Sequence, residues 1–131
     1  MVRYGDDEPL STTTRLLSYL TTGIADDTHE SFWIVCMNPK RRPICRLRLG
    51  SGPVVATQVG VRQVFRATLL ADALAIACLR TETGPVPRPS LADGRLHWGL
   101  RETARHMNIE LVDYFVAKLD SPAYHSWREH S

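Results

Sequence analysis

The order of apolar and polar positions divides the first half of the chain into a helix and a hairpin. Three leucines between residues 16 and 20 share one helical face, after a Ser/Thr run suited to an N-cap and before Gly23, which is typical of a helix end. Residues 30–37 are almost continuously apolar, as in a strand covered on both faces. Residues 43–49 alternate apolar and basic side chains, which predicts a second strand with one wet face, paired to the first across a turn.

The second half alternates between extended and helical patterns. Residues 54–59 predict a short third strand or extended segment, and from residue 61 the apolar spacing becomes helical to about residue 71. The apolar run at 74–79 predicts a central strand that leads into a Pro- and Gly-rich loop over residues 80–90. Ser90 is expected to cap a helix over residues 91–107, with a last strand at 109–117 and a polar tail after it.

These elements predict an α/β fold with one mixed β-sheet flanked by helices. The 131 residues, of which 44% are hydrophobic, suit one domain that buries its own core. We expect residues 1–9 to be a flexible leader and residues 10–131 to form the domain. The polar, acidic start does not resemble a signal peptide, and no apolar run reaches the length of a membrane helix.

Composition and cysteine content indicate a cytoplasmic protein without a strongly charged surface. The net charge is +2, far from that of a polybasic tail. The three cysteines have no paired spacing, so we expect small buried thiols in a reducing compartment. A two-thiol site remains an alternative, because Cys36 and Cys45 can face each other across the predicted hairpin.

Short stretches of the chain, spread over about residues 10–130, resemble the RadC-like branch of the JAB/MPN fold. The resemblance implies the mixed sheet of that fold, which is cytidine-deaminase-like. It rests on several landmarks: Glu30 and the strand after it, residues 38–40 (NPK), Gly50, residues 61–67 (VRQVFRA), residues 87–93 (PRPSLAD), residues 108–114 (NIELVDY) and Ser126.

Active members of the wider family bind zinc through H-x-H-x7-S-x2-D and use an earlier glutamate as general base. The resemblance places Glu30 at the base, Ser90 at the group that stabilises the substrate oxygen, and Asp93 at a metal ligand. The spacing is intact, but Arg80 and Glu82 occupy the positions of the two histidines. A guanidinium has no lone pair for a metal and is always charged. We therefore expect no metal, and we expect Arg80 to pair with Asp93, Glu30 or Glu82.

A rebuilt metal site is the alternative interpretation of the same residues. Asp93 and His97 are four residues apart, so they share one face of the predicted helix. Together with Glu82 and Glu30 they are candidate zinc ligands.

Three functions follow from the residues and the resemblance. The first is a non-catalytic domain without cofactor that binds a protein or peptide partner or forms a homodimer. The second is a zinc-dependent peptide or isopeptide hydrolase with an altered metal site. The third is a DNA-repair-associated accessory protein, for which the sequence offers only a basic group around one hairpin: Lys40, Arg41, Arg42, Arg46 and Arg48.

Overall fold

The computed structural model describes residues 8–24, 29–52 and 55–130. The first helix, α1 (Thr13–Thr21), is capped by Thr12, whose side chain accepts a hydrogen bond from the Arg15 amide. Gly23 follows the helix with a φ of +80°, a conformation that glycine adopts without strain. Of the expected leader, Glu8 forms an ion pair with Arg15, and residues 1–7 lie outside the described part.

The other elements are arranged around a five-stranded sheet with the strand order β2-β1-β3-β4-β5. The β3–β4 pair is parallel and is connected through α4, whereas the other neighbouring pairs are antiparallel. The predicted mixed sheet is therefore confirmed. The remaining elements are β1 (Ser31–Met37), β2 (Pro43–Ser51), α2 (Val55–Gln58), α3 (Val61–Leu70), β3 (Ala75–Thr81), α4 (Leu91–His106), β4 (Glu110–Ala117) and β5 (Tyr124–Ser126).

Helices cover both faces of the sheet. One core cluster joins the sheet to α2, α3 and α4, and a second cluster joins the opposite face to α1. Gly99 of α4 lies so close to α3 that an added Cβ would meet Val61 at 2.8 Å, so this crossing depends on the missing side chain. None of the helices in the described ranges has both the length and the apolar composition needed to cross a membrane.

The expected strand over residues 54–59 is wrong in its described part, because Val55–Gln58 form the short helix α2. Val55 and Val59 are both buried, and the Val59 amide donates a hydrogen bond to the Val55 carbonyl at 3.0 Å. A helical turn places both valines on one face toward the core, and this packing overrides the β propensity of the segment.

Two further differences concern strand ends. The strand predicted to stop at Leu79 continues to Thr81, so Arg80 lies in β3 and not in the loop. The tail expected to be merely polar contains β5, which pairs with Phe115–Ala117 of β4. Ser126 in β5 is fully buried and donates a hydrogen bond to Asp113 of β4 at 2.5 Å.

The three cysteines are free and buried, as predicted. Cys36 and Cys45 are direct partners in the β1–β2 register, so they do face each other across the hairpin. Burial, together with a smaller effect of the nearby Cys45, raises the pKa of the Cys36 thiol to about 12. Such a thiol is protonated at neutral pH, which favours a packing role for this pair.

Candidate functional site

Arg80 lies at the centre of a buried ion cluster at the end of β3. Only 3% of its side chain is exposed. Its Nε donates hydrogen bonds to Oδ1 and Oδ2 of Asp93 at 2.8 and 3.0 Å, and its Nη2 donates to Oδ2 at 2.8 Å. This fork matches the plane of the guanidinium to the plane of the carboxylate.

Two glutamates complete the cluster from the other side of the guanidinium. Nη1 of Arg80 donates to Oε1 of Glu30 at 2.5 Å and to Oε2 of Glu82 at 3.1 Å. Nη2 also donates to the Arg88 carbonyl oxygen at 3.1 Å, which ties the Pro-rich loop to the cluster. The ion pairs that the sequence predicts for Arg80 are thus present, and all three carboxylates take part.

The N-terminus of α4 holds Asp93 in place. Ser90 caps the helix: its Oγ accepts from the Asp93 amide at 3.1 Å, and its own amide donates to Oδ2 of Asp93 at 2.7 Å. The predicted cap by Ser90 is therefore present, and Asp93 reciprocates it in a capping box. The hydroxyl of Tyr114, on β4, donates to Oδ1 of Asp93 at 2.7 Å.

The pKa values show which charges this arrangement favours. Burial by itself raises the pKa of Asp93, but hydrogen bonds from Arg80, Ser90 and Tyr114 outweigh it and hold the pKa below its usual value. Burial lowers the pKa of Arg80, but Asp93 and the two glutamates raise it above its usual value. The Arg80–Asp93 pair is therefore ionised at neutral pH.

Glu30 responds in the opposite direction. Burial raises its pKa above the usual value, and the attraction of Arg80 offsets this only in part, since Glu82 and Asp93 add repulsion. Its side chain is 20% exposed, and that of Glu82 is 19% exposed, so both lie at the mouth of the cluster. Glu30 therefore takes up a proton more readily than Asp93 does.

A second polar group fixes the backbone beside Glu30. The Ser31 amide and hydroxyl both lie 2.8 Å from the Thr81 hydroxyl, which joins the first residue of β1 to the last residue of β3. The Trp33 indole donates to the Ser31 hydroxyl at 2.8 Å. Glu30 and Arg80 therefore project from two strand ends that are held together.

The residues at this site do not fit the zinc ion that the resemblance implies. The guanidinium of Arg80 takes the oxygen atoms of Asp93, Glu30 and Glu82 as hydrogen-bond acceptors, and it is a cation without a lone pair. Without imidazoles the donor set is composed of carboxylate oxygens alone. Within residues 8–24, 29–52 and 55–130, no three His, Cys, Asp or Glu side chains are placed to hold a metal ion.

His97, the alternative ligand, makes aromatic contacts. Its ring stacks on Trp127 with centroids 4.7 Å apart and meets the edge of Tyr114 at 6.0 Å. Burial lowers the pKa of His97, and the charge of Arg101 lowers it further. His97 lines a separate open groove of about 690 Å³ between α4 and the C-terminal residues, together with Trp98 and Trp127.

The basic residues of the hairpin do not share one wet surface, so that expectation is wrong for Arg46. Arg46 is only 4% exposed and its Nη1 donates to the carbonyls of Tyr19, Leu20 and Thr22 at the end of α1. Its guanidinium carbon lies 4.8 Å from the centroid of the Trp33 ring. Arg41 is paired with Glu110 at 2.7 Å.

Sequence reasoning missed Tyr114 and Arg46. Tyr114 lies within the predicted last strand, and a tyrosine hydroxyl that is buried needs a hydrogen-bond partner. That requirement was a usable signal, although it does not identify Asp93 as the partner. For Arg46 the alternating pattern predicted an exposed side chain, whereas the side chain is buried. The carbonyl oxygens that accept its hydrogen bonds belong to α1, which is distant along the chain.

A sequence model of the RadC-like JAB domain family matches residues 10–131 of this chain. A UPF0758 protein of Vibrio cholerae is 27% identical over 122 residues, which cover 93% of this chain and 77% of that protein. Another from the same species is 30% identical over 98 residues, which cover 75% and 44%. One of Coprothermobacter proteolyticus is 22% identical over 98 residues, which cover 75% and 42%. The chain spans less than half the length of these last two relatives.

Proposed function

The chain belongs to the RadC-like JAB domain family, and we propose that this member is a non-catalytic domain that acts by binding a protein or peptide partner. The observation that carries the proposal is the buried Arg80, which donates hydrogen bonds to Asp93, Glu30 and Glu82. It supplies the positive charge that these carboxylates require. In this proposal the domain keeps its fold without the means to activate a water through a metal.

The chemistry of the site argues against the hydrolase alternative. A general base must be free to accept a proton from water, whereas Glu30 already accepts a hydrogen bond from Arg80 at 2.5 Å. Ser90 likewise uses its hydroxyl to cap α4 and to contact Asp93. Both residues therefore serve the stability of the cluster in this proposal.

The binding surface that we propose is the surface formed by the loop before α4 and the two glutamates beside it. Val86 in this loop is 52% exposed, and Glu30 and Glu82 border the cluster with partly exposed side chains. An apolar side chain of a peptide can contact Val86, and backbone amides of the peptide can donate to the glutamates. We also infer a reducing compartment such as the cytoplasm, because all three cysteines are free and buried.

The proposal is tested by hydrolysis of a fluorogenic peptide mixture and of an isopeptide-linked substrate, each with added zinc or with a chelator. Wild type and Glu30→Gln are compared at equal concentration. We expect the same background rate in all four conditions, because neither the metal nor the glutamate takes part in catalysis. Zinc-dependent turnover by wild type that Glu30→Gln abolishes would overturn the proposal in favour of the hydrolase.

A further inference from the structure

Helix α4 presents an outward stripe that contains two large apolar side chains. Leu91 is 82% exposed and Trp98, seven residues later, is 66% exposed. The opposite side of the helix is buried in the core. Spacings of four, three, four and three residues place the stripe on one helical face: Leu91, Arg95, Trp98, Glu102 and Arg105.

The charged residues of this stripe are complementary to those of a second copy of the same stripe. When two α4 helices pack antiparallel about a two-fold axis near Trp98, Arg95 of each copy faces Glu102 of the other. In a parallel arrangement, Arg95 of one copy would instead face Arg95 of the other copy. Arg95 makes no ion pair with another described residue, so it is available for such a contact.

The stripe also has room for a second tryptophan. Gly94 lies one turn before Trp98, and no atom comes within 4 Å of the point where its Cβ would be. The ring of Trp98 in the second copy can occupy this open space. Glu102 also accepts from Arg105 at 2.8 Å, but that pair is largely exposed and a carboxylate can accept from two arginines.

We propose that α4 is a homodimer interface in which two copies of this stripe pack antiparallel. The interface is isologous, so every contact occurs twice. A single pair of helices of this length buries less than a standard interface, so we expect a dissociation constant on the order of 10–100 μM. The proposal does not depend on the Arg80 cluster or on the proposed function.

Charge reversal at the two complementary positions is the sharpest test. Sedimentation equilibrium is measured between 5 and 500 μM protein for wild type, R95E, E102R, the double variant and an equimolar mixture of the two single variants. In either single variant, like charges face each other twice across the interface. We expect at least a tenfold weaker dimer for each single variant, and near wild-type affinity for the double variant and for the mixture.

Trp98→Ala is a second variant. Its control is Leu70→Ala, because Leu70 is 80% exposed but lies on α3, outside the stripe. We expect Trp98→Ala to weaken the dimer at least tenfold and Leu70→Ala to leave it unchanged. Circular dichroism checks that each variant is folded. A monomer at every concentration, or a dimer that does not respond to charge reversal, would overturn the proposal, and so would failure of the mixed variants to associate.

Discussion

A single guanidinium group, that of Arg80, holds together three carboxylates from different parts of the chain. Asp93 comes from the start of α4, Glu30 precedes β1 and Glu82 follows β3. Without this cation the three carboxylates would be charges at or near the core without a counterion, which is costly. Arg80 therefore allows three acidic residues to lie close together at this point of the fold.

Replacing Arg80 by methionine keeps most of its volume and removes its charge. We expect the free energy of unfolding to fall by about 3–5 kcal/mol, because a buried ion pair is broken on one side only. Urea unfolding at pH 7, followed by tryptophan fluorescence, measures the loss. Arg88→Ala is the control, since its side chain is exposed and only its backbone contacts the cluster. A loss below about 1 kcal/mol for Arg80→Met would contradict this account.

The two perturbed carboxylates predict opposite pH dependences. The pKa of Asp93 lies below its ordinary 3.8, so ionised Asp93 stabilises the fold above that pH, and this contribution is lost as the pH falls through the lower folded value. The pKa of Glu30 lies above its ordinary 4.5, so the Glu30 contribution to stability falls as the pH rises from 4.5 through the higher folded value.

The contributions of the two carboxyl groups are separated by measuring the free energy of unfolding between pH 2.5 and 7 for wild type, Asp93→Asn and Glu30→Gln. Below pH 3.8, wild type should lose stability relative to Asp93→Asn as the pH falls. Above pH 4.5, wild type should lose stability relative to Glu30→Gln as the pH rises. Differences that do not vary with pH would show that neither carboxyl group is perturbed as described.

The resemblance to the family's metal motif was sufficient to predict the partners of Arg80, because that motif implies that positions 30, 82 and 93 lie close to position 80. Ser90 as helix cap and Asp93 in the first turn follow from local rules. The Tyr114 hydroxyl and the Arg88 carbonyl could not be predicted as partners. Both contacts depend on how distant segments pack, which spacing along the chain does not encode.

At the scale of elements, burial patterns predicted the long strands and helices well and the short ones poorly. β3 was recognisable as a continuous apolar run, and α4 is long enough for its helical apolar period to be clear. The four residues of α2 and the three of β5 are too few for a period, and tertiary contacts decide their conformation. Tertiary contacts also decide the position of Arg46, which the alternating pattern of its strand predicted to be exposed but which caps the end of a separate helix.

Arg46 links β2 to the C-terminal end of α1, where free carbonyls favour a cation. Replacing Arg46 by alanine should lower the free energy of unfolding by about 1.5–3 kcal/mol, since charge-assisted hydrogen bonds and the contact with Trp33 are lost. Hydrogen exchange should speed up most in α1. Arg48→Ala, at an exposed position of the same strand, is the matched control and should change little. Equal effects of the two substitutions would refute the capping role.

At the scale of the whole molecule, the sheet and its helices form the frame on which the site residues are placed. The parallel β3–α4–β4 unit brings Arg80, Asp93 and Tyr114 together. Glu30 joins them because it directly precedes β1, which pairs with β3. The frame rests on two apolar clusters that do not include the ion cluster.

Zinc stoichiometry tests the central claim that Arg80 stands in place of a metal. Wild type and the variant Arg80→His/Glu82→His are incubated with zinc, freed of excess by gel filtration and analysed for metal by elemental analysis. Positions 80 and 82 contact one another on one side of β3, so two histidines there can join Asp93 as ligands. We predict no retained zinc in wild type and about one zinc per chain in the double variant. About one zinc per chain in wild type, lost in Asp93→Asn, would contradict the account.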